Sequence, residues 1–338
     1  MLDPECSAVS QMAEPEAAIL GLASPPPPDP AALAALVGQA QEFLLHARAE
    51  NTRRAYRSDW HHFQLWCGQR NVLACPALPQ TLALYLTALS GTHKVSTLTR
   101  RLSAISQAHQ SAGVSSPAED PGVRLLMAGI RRHFGTAAST KRPVLVPELQ
   151  AMVAAVPGNL LGLRDRAILL LGFSGAFRRS ELVALNREDT LETADGLVVT
   201  LRRSKTDQEA EGRKVAIPQG REAGTCPVRA LSAWLAAAGI ATGPIFRRVN
   251  RHGQILPQRL SGEGVAIVVK RWAAAAGFEA EEYAGHSLRA GLATSAAIAG
   301  KSERAIMNQT GHRSSTTVRR YIRDANLFRE NAAEGLGL

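Results

Sequence analysis

Cysteine is scarce. Cys6, Cys67, Cys75 and Cys226 are the only four in 338 residues, and none falls in a Cys-x-x-Cys pair or at a Cys/His ligand spacing. A disulfide framework and a zinc cage are therefore excluded, and reduced thiols are expected. No apolar run reaches the roughly 18 residues that a membrane-spanning helix requires. The chain opens with Asp3 and Glu5 where a secretory signal would carry bases, so export is not expected. No repeat with a period of roughly 20 to 50 residues is visible, which removes solenoids and propellers. The HExxH, GxSxG and EF-hand patterns are missing. Gly300-Lys301-Ser302 looks like the end of a phosphate-binding loop, but the first glycine of that motif would fall on Ser295. Carboxylates are scattered and often lie beside arginine, so the clustered acids of metal-dependent phosphodiester chemistry are absent as well.

What is present is a globular composition, 45% hydrophobic and 20% charged, over a length that suits two domains. Lys and Arg total 39 against 29 Asp and Glu, a net charge of +10. The first 30 residues hold five acids and no base, so the other 308 carry +15. Such a surface predicts a partner with dense negative charge. Nucleic acid is favoured over a membrane, because no helix is both strongly basic and wholly apolar on its other side.

Patterning predicts a mainly α fold. Residues 1–30 end in Ser24-Pro25-Pro26-Pro27-Pro28 and read as a disordered acidic, proline-rich tail. Residues 31–134 read as an all-helical domain. Tyr56, Trp60, Phe63 and Cys67 share one face of a helix that begins near Asn51-Thr52, and further stripes run through Leu82, Tyr85, Leu86 and Leu89 and through Leu98, Leu102 and Ile105. Residues 135–146 lack any period and read as a linker. Residues 147–338 read as a mixed, mostly helical domain with a small antiparallel β-sheet, in which residues 197–201 and 214–217 form a hairpin about the polar loop 204–212. Helices are predicted over 163–171, 181–185, 227–238, 264–276, 286–299, 301–309, 315–323 and around 325–333.

The candidate chemistry lies in the second half. Arg178 and Glu181 are three residues apart, on one face of a predicted helix, so the acid can hold the guanidinium in place. His286-Ser287-Leu288-Arg289 repeats that spacing with two groups able to reach a phosphate oxygen. Gly311-His312 is followed nine residues later by Tyr321, among Arg319, Arg320 and Arg323. Taken singly, these read as a surface ion pair, a helix start and half-buried packing. Taken in order, with Lys205 on the hairpin between the first two, they resemble the tyrosine recombinase (phage integrase) family over about residues 31–330. The His286-to-Gly291 box and the segment from His93 to Leu98 are most similar to Cre-type members. His312 departs from those members, which carry tryptophan, and matches the commoner choice in the wider family.

The resemblance implies two domains, an N-terminal core-binding one and a catalytic one, closing as a C-shaped clamp on double-stranded DNA. It implies site-specific recombination by a homotetramer on two target sites with inverted repeats. Strands would be cleaved and rejoined through a covalent 3′-phosphotyrosine and a Holliday junction, with no metal, nucleotide or other cofactor. The place of action would be the cytoplasm, at the nucleoid. Chemically, two forked, always-charged guanidiniums, Arg178 and Arg289, suit the charge that builds on equatorial phosphate oxygens. Tyr321 suits a nucleophile that must later leave, and neighbouring cations are expected to ease its ionisation. Lys205 is the candidate acid for the departing 5′ oxygen, His286 the base for the phenol, His312 a donor to the phosphate, and Glu181 a buried support for Arg178. Arg53, Arg54, Arg57, Lys94, Arg100, Arg101, Arg202 and Arg203 are the candidate DNA contacts, mostly to phosphate. Leu327-Phe328 is a candidate docking segment for a neighbouring protomer. A type IB topoisomerase, a telomere-resolvase-like enzyme and a non-catalytic DNA-binding regulator are the alternatives.

Overall fold

A computed structural model describes residues 30–46, 50–136, 141–202 and 212–326. The expected tail up to Asp29, the hairpin tip with Arg203 and Lys205, and the expected docking pair Leu327-Phe328 lie outside the described residues. The chain divides between Ala138 and Ser139 into two compact units.

The first unit is helical: α1 (Pro30–His46), α2 (Glu50–Gly68), α3 (Pro79–Ser90), α4 (Val95–Ser111) and α5 (Pro121–Phe134). The predicted stripes form its core, with Phe63, Leu82, Tyr85, Leu86, Leu98 and Ile105 fully buried and Trp60 and Leu102 packed against them. Helix α5 shows sequence and structure agreeing at both ends. Asp120 caps it by accepting from the N–H groups of Gly122 (2.8 Å) and Val123 (3.3 Å), Pro121 opens the first turn, and Arg131, Arg132 and His133 meet the negative end of the dipole.

Charge is also built into this core. Asp59 and Arg101 are both buried. Arg101 Nη1 donates to Tyr85 Oη at 2.7 Å and to His62 Nδ1 at 2.8 Å, while Arg100 forks onto Asp59 at 2.7 and 3.0 Å. The expectation that Arg101 lies on a solvated, DNA-facing side is thereby corrected. It follows Leu98 by three residues and precedes Ile105 by four, which puts it on the apolar stripe itself. Arg100 is half-exposed, but its fork is already engaged by a carboxylate.

In the second unit, α6 (Val146–Ala154), α7 (Leu160–Ser174), α8 (Arg179–Ala184), α9 (Pro227–Ala238), α10 (Gly262–Ala275), α11 (His286–Ile298), α12 (Glu303–Thr310) and α13 (Ser315–Ala325) surround two small sheets. Strands β1 (Thr190–Thr193), β2 (Gly196–Leu201) and β3 (Arg213–Pro218) form an antiparallel sheet in that order, with Val199 opposite both Thr190 and Val215. The pair β4 (Arg247–Val249) and β5 (Ile255–Arg259) forms the other. Strands β1, β4 and β5 were not expected. They are short, and Arg247, Arg248, Pro257 and Arg259 hide any apolar alternation.

Helix α7 is the axis of this unit. Residues 167–171 are buried on every side, so a helix with no apolar stripe is what its position requires. Trp234 of α9 packs beside it and donates to the Ile245 carbonyl at 2.9 Å. Asp165, wholly buried in α7, accepts from Arg164 (2.7 Å) and from Trp272 Nε1 (2.9 Å). Ser302, part of the apparent phosphate-loop motif, caps α12 by accepting from the Ala305 N–H at 3.2 Å.

The segment 141–144 is tied down on the start of α11 and on the short turn before it. Arg142 N–H donates to the Glu282 carbonyl (2.9 Å), and Val144 N–H donates to the Ser287 carbonyl (3.0 Å). A Cβ at Gly291 would lie 1.9 Å from the Val144 carbonyl oxygen. Gly291→Ala is therefore expected to destabilise the protein by about 2 kcal/mol or more and to lower its melting temperature. A melting temperature equal to the parent's would contradict this close approach.

Among the described residues, no helix is long and apolar enough to cross a membrane, and no group of three or more His, Cys, Asp or Glu is arranged to hold a metal ion.

Candidate active site

Four elements of the second unit bring the candidate residues to one place. The turn after α7 supplies Arg178, the first turn of α11 supplies His286 and Arg289, the turn after α12 supplies His312, and α13 supplies Tyr321. Lys205 lies outside the described residues.

Arg178 and Glu181 differ from the expectation of a pair on one helical face. Arg178 is the extended N-cap of α8 (φ −67°, ψ 151°), and Glu181 occupies the third helical position. Its carboxylate accepts from the Arg178 backbone N–H at 2.9 Å and from Nη1 at 2.6 Å. The buried acid thus caps the helix and orients the guanidinium at once, which is half of a capping box put to a second use.

Arg289 has no exposed surface. Its Nη1 donates to the Ala176 carbonyl at 2.7 Å and its Nη2 to His312 Nε2 at 3.2 Å. Ala176 takes a φ of 48°, a conformation an alanine adopts at a cost of about 1 kcal/mol, in the turn whose carbonyl meets the guanidinium. Burial and the nearby Arg178 pull Arg289 from its ordinary value down to about 10, with Glu181 and Tyr321 opposing and Arg213 adding to the fall. It stays charged at neutral pH.

The network assigns His312 its protons. Thr310 Oγ1 donates to the Ile306 carbonyl at 2.7 Å, so it accepts from His312 Nδ1–H at 2.7 Å, and Nε2 is left to accept from Arg289. Burial first, then the charges of Arg289, Arg178, His286 and Arg213, push the imidazole down to about 4. A neutral ring with Nε2 as acceptor differs from the expected phosphate donor.

His286 lies exposed at the rim, beside Arg179, whose side chain covers Gly285. Crowding by protein, then Arg289, Arg178 and Arg179, holds its imidazole below the usual range and neutral. Tyr321 is half-buried against Ala293, Ala297, Ile306 and Val318, its ring centroid 6.3 Å from that of His312. Burial raises its phenol above the ordinary value; Arg289 and Arg320 pull it down, and Asp324 pushes it up. The expectation that cations ease its ionisation is thus corrected: in this state burial outweighs them.

Sequence reading passed over Arg213 and Thr310. Thr310 orients His312, and Arg213 adds a fourth guanidinium to the group formed with Arg178, Arg179 and Arg289. A basic residue opening a strand carries no motif signal, and Thr310 lies only two residues before the histidine that was noticed. Of the candidate DNA contacts, Arg202 donates to buried Asp189 at 2.6 Å, Arg54 donates to Asn51 at 2.9 Å, Arg57 and Lys94 are exposed, and Arg53 is half-buried with its Nε unbonded. Arg203 lies outside the described residues.

The neutral state of His312 predicts a pH dependence. In the unfolded chain this histidine binds a proton near its ordinary 6.5, and in the folded chain only near about 4. Between those values the unfolded state holds more protons, so stability rises with pH and is lost as pH falls through the window. His312→Gln is expected to flatten the decline in urea midpoint between about pH 7 and pH 4.5. An equally steep decline in the variant would count against the assignment.

Comparison with known proteins identifies the family. Residues 145–327 match the phage integrase family. The integrase/recombinase XerD homologue of Selenomonas ruminantium is 42% identical over 298 residues, covering 87% of each chain. Recombinase Cre of Escherichia phage P1 is 25% identical over 307 residues, covering 85% of this chain and 87% of its own. Cre is thus among the relatives, and the XerD homologue is the more similar of the two. In fold, a lambda integrase dimer bound to a COC′ core site has a TM-score of 0.56 at 18% identity, covering 88% of this chain and 79% of that one. The recombinase XerH bound to palindromic difH has a TM-score of 0.54 at 18% identity, covering 76% and 71%. With the family pattern spanning the whole basic cluster from Arg178 to Tyr321, this chain belongs to the phage integrase family of tyrosine recombinases.

Proposed function

We propose that the protein is a site-specific DNA recombinase that cuts and rejoins strands through Tyr321. The observation that carries this reading is the burial of Arg289, a charged guanidinium with no exposed surface, beside Arg178 and facing His312. Burying such a charge costs several kcal/mol, and a site with a phosphoryl group to stabilise gives that burial a use.

Each step is assigned to one of the candidate groups. The forks of Arg178 and Arg289 bind the non-bridging oxygens of the scissile phosphate and offset the charge that builds as phosphorus becomes five-coordinate. Neutral His286 accepts the phenolic proton, and Tyr321 Oη attacks phosphorus. The bond from phosphorus to the 5′ oxygen breaks, Lys205 protonates that oxygen, and a 3′-phosphotyrosine with a free 5′ hydroxyl results. When a phosphate oxygen takes the Arg289 Nη2 proton donor, His312 Nε2 is released. The ring becomes a donor if its proton moves from Nδ1 to Nε2 while the Thr310 hydroxyl turns from the Ile306 carbonyl to Nδ1. The reverse reaction, with a different 5′ hydroxyl attacking, reseals the strand without external energy. Two such exchanges through a Holliday junction, by four protomers on two sites with inverted repeats, complete recombination. The relatives named recombinase support recombination as the overall reaction. Exposed Arg57 and Lys94 of the first unit, and Arg53, Arg54 and Arg203, are the proposed phosphate contacts, and Arg202 joins them if it leaves Asp189.

Duplex fragments from the DNA flanking the protein's own gene are the probe. Incubation with the full chain is expected to give a detergent-resistant protein–DNA adduct. Tyr321→Phe should abolish the adduct while leaving retention of the same fragments unchanged. An adduct formed by Tyr321→Phe would remove Tyr321 from its role. Relaxation of a supercoiled plasmid without any such fragment would point to a topoisomerase instead.

A further inference from the structure

The carboxyl end of α12 is gripped by one side chain. Arg213, the first residue of β3, donates from Nη1 to the carbonyls of Asn308 (3.4 Å) and Gln309 (3.2 Å), and from Nη2 to that of Thr310 (3.4 Å). These carbonyls have no partner within their own helix and carry the negative end of its dipole. Spanning three in succession suits a planar fork of donors, whereas an ammonium meets fewer at a time. Gly311 follows with φ 65° and ψ 40°, and a Cβ there would come within 2.7 Å of Arg213 Cζ and Nε. Glycine is thus required twice, for the left-handed turn and for the guanidinium to pass. Burial lowers the Arg213 guanidinium from its ordinary value; Glu181 opposes and Arg178 adds to the fall. Water could cap a helix end without that desolvation, so the arrangement asks for another use. The residue after this turn is His312.

We propose that Arg213 is a positioning residue for strand cleavage: by clamping the end of α12 it sets the Gly311 turn, so that His312 meets Arg289 and the scissile phosphate. It acts through His312 and does not itself touch the reacting atoms. That role rests on the phosphoryl-transfer reading of the site, and it ties β3, the outgoing strand of the hairpin, to the histidine.

Arg213→Lys keeps the charge and loses the fork. In the full chain, an NMR titration of His312, assigned by its loss in His312→Gln, is expected to rise from about 4 by roughly one unit or more as the ring leaves Arg289 and gains water. Adduct formation on the captured fragments should slow by roughly tenfold to a hundredfold with retention of those fragments unchanged, and the loss should vanish in a His312→Gln background. Gly311→Ala, which crowds Arg213 from the other side, should move both readouts the same way and serves if Arg213→Lys does not fold. A lower melting temperature with the His312 titration unmoved, or rate losses that multiply in the double variant, would overturn the role. If the parent forms no adduct, the phosphoryl-transfer reading fails, while the titration still decides whether Arg213 positions His312.

Discussion

The buried charge of Arg289 is the constraint from which the site is built. A guanidinium with no exposed surface needs partners for its donors, and the chain supplies a carbonyl from the left-handed turn at Ala176 to Nη1 and the Nε2 of His312 to Nη2, while Nε is left without one. His312 in turn must stay neutral, and Thr310 keeps its proton on Nδ1. Arg178 stands close enough to lower Arg289, so it requires a carboxylate of its own, and buried Glu181 supplies one while capping α8. Each element therefore contributes one compensation for a concentration of positive charge that an ordinary core would avoid.

The same crowding explains why the titrating groups lie where they do. Both histidines are pushed down, so they are neutral at physiological pH, and Tyr321 is pushed up, so it holds its proton. In the proposed reaction, a phenol that keeps its proton until the phosphate arrives does not react with the wrong partner. Proton movement in the proposed reaction thus depends on substrate arrival rather than on a standing phenolate.

Much of this was legible in the residues. Apolar stripes located α2, α3 and α4, because each is packed on one face. The order of Arg178, Glu181, His286, Arg289, His312 and Tyr321 marked one site, because that order and spacing resemble the phage integrase family. What stayed hidden depended on neighbours distant in sequence. Arg101 reads as a surface base until Asp59, His62 and Tyr85 are seen around it. Arg213 reads as an unremarkable strand residue until the end of α12, nearly a hundred positions later, is laid against it. The direction in which Tyr321 shifts is likewise set by its burial, to which Ala293, Ala297 and Ile306 of other helices contribute, not by the arginines adjacent in sequence.

The central claim concerns where one phosphate goes. A structure of the full chain on its DNA, trapped before cleavage with Tyr321→Phe, tests it directly. The account predicts non-bridging oxygens of a single phosphate within hydrogen-bond distance of both Arg178 and Arg289, with Arg289 Nη2 withdrawn from His312 and the ring of residue 321 facing the phosphorus. A phosphate held elsewhere, with Arg289 still bonded to His312, would contradict it.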